Sequence, residues 1–358
     1  MTLKILTVVG ARPQFIKSSA ISREIAKRDS LTEYVIHTGQ HYDELMSDIF
    51  FQDLGFELNI TNLDINNVSE TLFVATAMAK IESEIIKFKP DVILLYGDTN
   101  STLAGALVGN KCGVDILHVE GGVRNLDRSI PEETNRIITD NLSKVIFYST
   151  DDALLHLKNE GLNQAGIDLV KTDDLMSDGL KLVLEGLCSK KRFTGDYALV
   201  TLHRGFNLEP HCLSEIVHFL NTLAEEIELV FPIHPNTRNM IKKYGLHLSA
   251  NIQLLEPLSH SELIEALNDA LYVITDSGGL QREAYMLKKK SLIILDRTPW
   301  VELLEAKCVQ LSKPVSKDLT KALETLLEKP ANFSTPFYGN GNASTQICDY
   351  LEKLYECK

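Results

Sequence analysis

The sequence predicts an α/β protein with two doubly wound parallel sheets. Three observations carry that reading. Short apolar runs ending in glycine or polar turns alternate with helix-compatible segments along the chain, as in βαβ units. The same strand-then-polar-turn order begins afresh in the second half. Between the halves, IDLVKTDDLMSDG is acidic and broken, and it marks a change of domain. A length of 358 residues suits two domains, and 44% hydrophobic content suffices for a large core.

In order, KILTVVG reads as a strand ending at Gly10, followed by a helix with Phe15, Ile16, Ala20 and Ile25 at helical spacing. Its start is placed to receive an anion, with Arg12 and Lys17 nearby. YVIHTG is a strand that runs into Gln40, His41, Tyr42 and Asp43. A long helix is expected from Ser69 to Phe88, closed by Lys89-Pro90. VILLYGD, DILHVEGG and KVIFYST follow as strands. The second series runs through YALVTLH, ELVFPIHP, NIQLLEP, LYVITDSGG and KSLIILD, and fades after CVQLS. Residues 332–344 read as a loop and 345–357 as a helix that packs back on the body. The domains are then 1–170, 171–340 and a C-terminal helical segment, 341–358. Two such sheets facing across a cleft would hold a ligand between them.

A net charge of -13 argues against broad binding to nucleic acid or an anionic membrane. No apolar run approaches a membrane span, and the short run Ile5–Val9 is no signal-peptide core. The six cysteines form no CxxC pair and suit reduced thiols in a cytoplasmic protein. HExxH, the P-loop signature and GxGxxG do not occur.

Several acids stand just past apolar runs: Asp98 after VILLY, Glu120 after DILHV, and Glu132 and Glu133 after Pro131. Carboxyl ends of neighbouring parallel strands face one crevice, so these acids point to proton transfer. Asp98, taken singly, reads equally well as a helix N-cap. In TDSGGLQREA, Ser277, Gly278 and Gly279 form a strand-to-helix turn of the phosphate-binding kind, and Glu283 could reach ribose hydroxyls. His203-Arg204 and His234-Pro235 end strands of the second half and, with Arg238, suit a polyanionic ligand.

GARPQFIK, TGQHYDELMSDIFF, YGDTNSTLAGAL, HVEGGVR, PEETNR, TDSGGLQREA and RTPWVELLEA together resemble the non-hydrolysing UDP-N-acetylglucosamine 2-epimerase family, in that family's order and over nearly the whole chain. The resemblance implies the GT-B fold, two Rossmann-like domains flanking a cleft, and an isomerase acting at C2 of a UDP-sugar for bacterial surface polysaccharide precursors. It implies Asp98, Glu120 and Glu132 as acid/base residues and His203 as the group assisting the leaving pyrophosphate. Lys17, Arg12 and Arg136 would supply positive charge, and Ser277, Gly278, Gly279, Glu283 and His234 would hold the nucleotide. It implies no metal, no cofactor, no membrane or nucleic-acid partner, and a homodimer.

This chain departs from the pattern at Gly121 (usually Ala), at Thr172–Asp174 (usually a Gly-Asp pair) and at Asn340 (usually Asp); it also lacks the usual Arg after Pro235. The commonest substrate of such enzymes, UDP-N-acetylglucosamine, is the first expectation. UDP-2,3-diacetamido-2,3-dideoxyuronic acid is an alternative, to which GARPQFIK and Trp300-Val301-Glu302 are closer. A GT-B glycosyltransferase, an inactive nucleotide-sugar-binding homologue and a hydrolysing epimerase are the remaining readings.

Overall fold

The computed structural model describes residues 2–40, 60–186, 193 and 195–355, without the side chain of Arg12. His41, Tyr42 and Asp43 lie outside the described residues. The chain divides into two compact units, Met1–Lys181 with Phe337–Lys358, and Leu182–Pro336.

The first unit carries β1 (Leu3–Val9), α1 (Arg12–Ile25), β2 (Leu31–His37), β3 (Ile60–Asn62), α2 (Glu70–Phe88), β4 (Val92–Tyr96) and α3 (Asn100–Cys112). It continues with β5 (Asp115–Val119), α4 (Pro131–Leu142), β6 (Val145–Tyr148), α5 (Asp151–Asn159), β7 (Asp168–Lys171) and α6 (Leu175–Gly186). Its sheet is parallel in the order β3-β2-β1-β4-β5-β6-β7. The strand order reverses between β1 and β4, so the loops after Val9 and Tyr96 meet at the switch point, where ligands bind in such sheets. β4 is buried along its whole length, which is why VILLY is a continuous apolar run rather than an alternating one. Helix α2 begins at the expected place because the Ser69 hydroxyl accepts the Leu72 N–H at 3.3 Å. It stops at Lys89, whose φ of 51° turns the chain into the left-handed region before Pro90.

The second unit carries β8 (Tyr197–Thr201), α7 (Pro210–Leu223), β9 (Glu228–Pro232), α8 (Pro235–Lys243), β10 (Ile252–Leu255) and α9 (His260–Asp269). Then come β11 (Tyr272–Thr275), α10 (Gly278–Met286), β12 (Lys290–Ile293), α11 (Val301–Glu305), β13 (Val309–Leu311) and α12 (Ser316–Glu328). Its parallel order β10-β9-β8-β11-β12-β13 repeats the plan of the first sheet, with the reversal between β8 and β11.

Two short strands, β3 and β7, escape the pattern reading. β7 lies within the acidic stretch read as a domain break; its edge position requires only Leu169 and Val170 to be apolar. The last helix, α13 (Ala343–Tyr355), starts two residues before its predicted start and belongs to the first unit. Its Ile347, Cys348 and Leu351 join Phe15, Ile21 and Ile25 of α1 in one buried cluster.

Candidate active site

Within the first unit, β4, β5 and α4 bring the predicted acids and cations into two ion pairs. The Glu120 carboxylate is salt-bridged to the Lys17 ammonium from α1, which is 4% exposed. The Asp98 carboxylate is salt-bridged to the Arg136 guanidinium from α4. A Cβ placed on Gly97 would lie 4.0 Å from both Glu120 Oε1 and Lys17 Nζ, so the first pair sits over the turn that carries Asp98. Asp98 is not the helix cap that its neighbours suggested: Thr99 caps α3, leaving the Asp98 carboxylate for Arg136.

Helix α4 supports this arrangement with one face. Asn135 Nδ2 donates to the Asp98 carbonyl at 2.9 Å, clamping the β4 turn. Buried Glu133 accepts the N–H groups of Asn125 (2.8 Å) and Leu126 (3.0 Å) and meets Arg136 Nη1 at 3.2 Å, so it holds a loop. Glu132, next to it, is exposed on the first turn. Glu120 has φ of 68°, a conformation disfavoured for a residue with a side chain, and such strain clusters at functional sites.

The start of α1 departs from expectation. Buried Gln14 accepts the N–H groups of Gly10 (2.8 Å) and Ala11 (3.1 Å), so these amides are not offered to an anion. Its own amide donates to the Tyr96 carbonyl at 2.7 Å and to Thr102 Oγ1 at 2.9 Å, bracing β1 to β4. Positive charge there comes from Lys17; the Arg12 side chain lies outside the described residues.

In the second unit the predicted polar turns converge on Asp276, which is fully buried. It accepts the backbone N–H groups of His203 (3.1 Å) and Arg204 (2.9 Å), the Asn207 amide (3.1 Å), and the His203 ring at 3.0 Å through Nδ1. Burial pushes the Asp276 carboxyl up, but the His203 ring and these donors outweigh burial and hold it below the ordinary value. The bond at Nδ1 orients His203 and leaves Nε2 to give or take a proton. Ser277 caps α10 by accepting the Leu280 N–H at 3.4 Å. A Cβ on Gly278 would lie 3.8 Å from Arg204 Nη2, so a basic side chain hangs over the first amides of α10. His234 caps α8, its Nδ1 accepting the Asn236 N–H at 3.2 Å. Glu283 is buried and bonded to His260 Nε2 at 2.6 Å.

The sequence matches the profile of the UDP-N-acetylglucosamine 2-epimerase family over residues 23–352. The chain belongs to the UDP-N-acetylglucosamine 2-epimerase family. It is 39% identical, over 98% of its length and 100% of the relative, to the UDP-2,3-diacetamido-2,3-dideoxy-D-glucuronate 2-epimerase of Pseudomonas aeruginosa. It is 35% identical to the UDP-N-acetylglucosamine 2-epimerase of Methanocaldococcus jannaschii, over 98% of this chain and 99% of that one. The crystal structure of the M. jannaschii UDP-GlcNAc 2-epimerase with UDP-GlcNAc and UDP superposes with a TM-score of 0.89 at 33% identity, covering 98% and 100% of the two chains. The fold is accordingly GT-B, with two Rossmann-like units, and the protein is an epimerase.

In this epimerase the residues that sequence reading passed over are buried braces: Gln14, His118, Asn135, Asp140, Asp276 and His260. Of these, His118 alone carried a signal of its own, a polar residue within the apolar run DILHV. The Gly121 departure is larger than a methyl group suggests, because a Cβ there would lie 2.3 Å from Ile146 Cγ2 and 2.7 Å from Asp140 Oδ1. The Thr172–Asp174 and Asn340 departures meet each other: the Asp173 carboxylate accepts the N–H groups of Asn340 (2.8 Å) and Asn342 (3.3 Å). Among the described residues, no group of three or more His, Cys, Asp or Glu is placed to hold a metal ion.

Proposed function

We propose that this protein is a non-hydrolysing 2-epimerase that interconverts UDP-N-acetylglucosamine and UDP-N-acetylmannosamine by eliminating and re-adding UDP. The observation carrying the reading is the pair of carboxylates, Asp98 and Glu120, at the ends of adjacent strands β4 and β5, each ion-paired, with the Glu120 pair over the glycine turn that carries Asp98. The C2 hydrogen of an N-acetyl sugar is a poor acid. As the C1–O bond breaks, its electron pair leaves with UDP and positive charge develops at C1. A carboxylate can then take the C2 proton, and the C–H electrons form a C1–C2 double bond. Delivery of a proton to the opposite face of C2, with UDP returning to C1, gives the epimer.

The roles are those that the resemblance implies, and the placements support several of them. Asp98, Glu120 and Glu132 of the first unit are the acid and base candidates, with Lys17 and Arg136 holding the first two in place. The second unit grips the nucleotide: Ser277, Gly278 and Gly279 supply the turn and the helix start, His203 and His234 face the pyrophosphate, and Glu283 takes the ribose. Held by Asp276, His203 is oriented to protonate or hydrogen-bond the departing phosphate oxygen.

Proton NMR of the purified protein with UDP-N-acetylglucosamine in heavy water tests this. Deuterium should enter C2 while a UDP-N-acetylmannosamine signal grows. No exchange at C2, with UDP bound normally, would leave an inactive nucleotide-sugar binder. Sugar transfer that occurs only with an acceptor would make it a glycosyltransferase.

A second substrate is suggested by the 39% identity to the P. aeruginosa diacetamido-glucuronate enzyme, which a UDP-N-acetylglucosamine 2-epimerase homolog of Methanococcus maripaludis equals. The same NMR assay with UDP-2,3-diacetamido-2,3-dideoxyglucuronic acid decides, by the ratio of the two kcat/KM values.

A homodimer goes with this reading, through the outer face of α2. Leu72 (53% exposed), Ala75, Ala79 and Ile86 (65%) continue Val68 (42%) in a stripe at coiled-coil spacing, interrupted at Glu82. Antiparallel pairing of two copies about Ala79 would set Leu72 on Ile86 and Glu70 beside Lys87 and Lys89. Light scattering should show a dimer that Leu72→Glu with Ile86→Glu splits; a monomeric unaltered protein would refute it. A cytoplasmic setting fits the free thiols Cys112, Cys212, Cys308 and Cys348.

A further inference from the structure

We infer that buried His118 and Asp140 are positioning residues for the elimination step, the His118 ring fixing the Asp98 turn against the Glu120 turn by donating from both of its nitrogens. The inference rests on the epimerase reading above and adds to it a part that does not touch substrate.

His118 lies within β5, and both it and Asp140 are fully buried. Its Nε2 is 2.7 Å from the Gly97 carbonyl oxygen, and its Nδ1 is 2.6 Å from Asp140 Oδ1. A backbone carbonyl can only accept, and so can an ionised carboxylate, so each ring nitrogen carries a proton. The other distribution, a neutral ring beside a protonated Asp140, is opposed by the surroundings. Burial pushes the Asp140 carboxyl up, but the His118 and Arg124 charges outweigh it and hold it below the ordinary value. Arg124 Nη2 is 2.7 Å from Asp140 Oδ2, and its Nε is 2.8 Å from Glu160 Oε1. Arg124, itself buried, thus keeps a cation against the Asp140 carboxylate, while Glu160 lies at the surface.

The bonds lead to the acids. Gly97 supplies the carbonyl immediately before Asp98. On the other side, Asp140 Oδ2 accepts the Gly122 N–H at 3.1 Å, and the Gly121 N–H donates to the Phe147 carbonyl at 3.1 Å; together they pin the turn in which Glu120 is held at φ 68°. Asp140 also lies one turn beyond Arg136, the partner of Asp98, on α4. One ring therefore joins the β4 turn, the β5 turn and α4. The other charged or titratable groups around it are Lys17 from α1 and His156 from α5, whose Nδ1 is 3.1 Å from the Gly122 carbonyl. Small displacements of reacting groups cost on the order of 100-fold in rate, so a brace of this kind acts on turnover more than on nucleotide binding.

Nitrogen NMR of the unaltered protein, labelled in its histidines, should show both His118 nitrogens protonated in the folded enzyme. His118→Phe keeps an aromatic ring and removes both donors; Asp140→Asn keeps the shape and removes the charge. Each should lower deuterium exchange at C2 by roughly 10- to 100-fold while UDP affinity stays within about threefold. The double variant should lose little beyond either single one, as coupled residues do. If His118→Phe does not fold, Asp140→Asn carries the kinetics. A neutral His118, a folded variant exchanging at the unaltered rate, or a loss confined to UDP binding overturns the inference. An unaltered protein with no exchange at C2 defeats the epimerase reading instead, and the NMR result on the ring stands apart from it.

Discussion

The Lys17 ammonium, buried on α1, is bonded to the carboxylate of Glu120, a residue held in the left-handed region at the end of β5. The ion pair holds this carboxylate in place at the end of its strand. Glu120→Gln, which keeps shape and loses basicity, should lower C2 exchange by roughly 100- to 10,000-fold. UDP affinity should be nearly unchanged, since its proposed holders are in the second unit. Lys17→Met should reduce exchange as well. If Glu120→Gln, Asp98→Asn and Glu132→Gln all exchange at near the unaltered rate, the acids are misassigned.

Glu283 and His260 make a buried pair at 2.6 Å in the second unit. With Oε1 committed to the ring, Oε2 remains for a ribose hydroxyl. Glu283→Ala should weaken UDP roughly 10- to 100-fold, the range for a hydrogen bond to a charged group. Titration calorimetry measures it, and an unchanged affinity would remove Glu283 from the nucleotide.

How far the sequence could be read differs between backbone and site. The alternation of apolar runs and helical periods located both sheets and the long helix α2, because each central strand must be apolar on both faces. It missed β3 and β7, edge strands with one neighbour and little apolar burial. The acids and cations were legible as types at strand ends. Their pairing was not, since Lys17 and Glu120 are brought together by the β1–β4–β5 order rather than by spacing. Gln14 and Asp140 were hidden for a similar reason: each satisfies backbone groups of distant turns, which no local pattern reveals.

His234 is lowered below the ordinary histidine value, first by burial and then by the nearby His203 charge. At neutral pH it is therefore uncharged in the free protein. A bound pyrophosphate would favour its charged form, so UDP binding should take up a proton and tighten as pH falls below about 6.5. Calorimetry in two buffers of different ionisation heat counts the proton. Binding without uptake would place His234 away from the phosphates.

Glu33, on β2, is pushed up by burial, with the Ser22 and Thr7 hydroxyls only partly offsetting it; the Thr7 bond is 2.5 Å. In the unfolded chain it ionises near about 4.3, before it does so in the fold. Below that value it costs nothing. As pH rises from there to the raised folded value, the unfolded state alone gains from ionisation and stability is lost. Glu33→Gln should remove this slope and raise the melting temperature at alkaline pH, measured by thermal unfolding at several pH values. Equal slopes in the two proteins would show that Glu33 is ionised in the fold.

Asp178, from α6, caps α13, a helix more than 160 residues further along the chain. Its carboxylate accepts the N–H groups of Ala343 and Ser344, both at 2.9 Å, and the Ser344 hydroxyl at 2.6 Å. These are donors that a helix start leaves unpaired, and they are withdrawn from water here. Burial pushes the carboxyl up, and the Ser344 and Ala343 donors offset part of that push. Asp178→Ala should cost about 1–2 kcal/mol, the usual loss for a helix cap. It should also speed hydrogen exchange of the first turn of α13 before that of the sheet. Asp178→Asn keeps an acceptor oxygen and should fall between the two. Because α13 packs on α1, which carries Lys17, the alanine variant should also lower the rate of C2 exchange without altering UDP affinity. Exchange protection at Ala343 and Ser344 unchanged in Asp178→Ala would show that the cap is not what holds the helix in place.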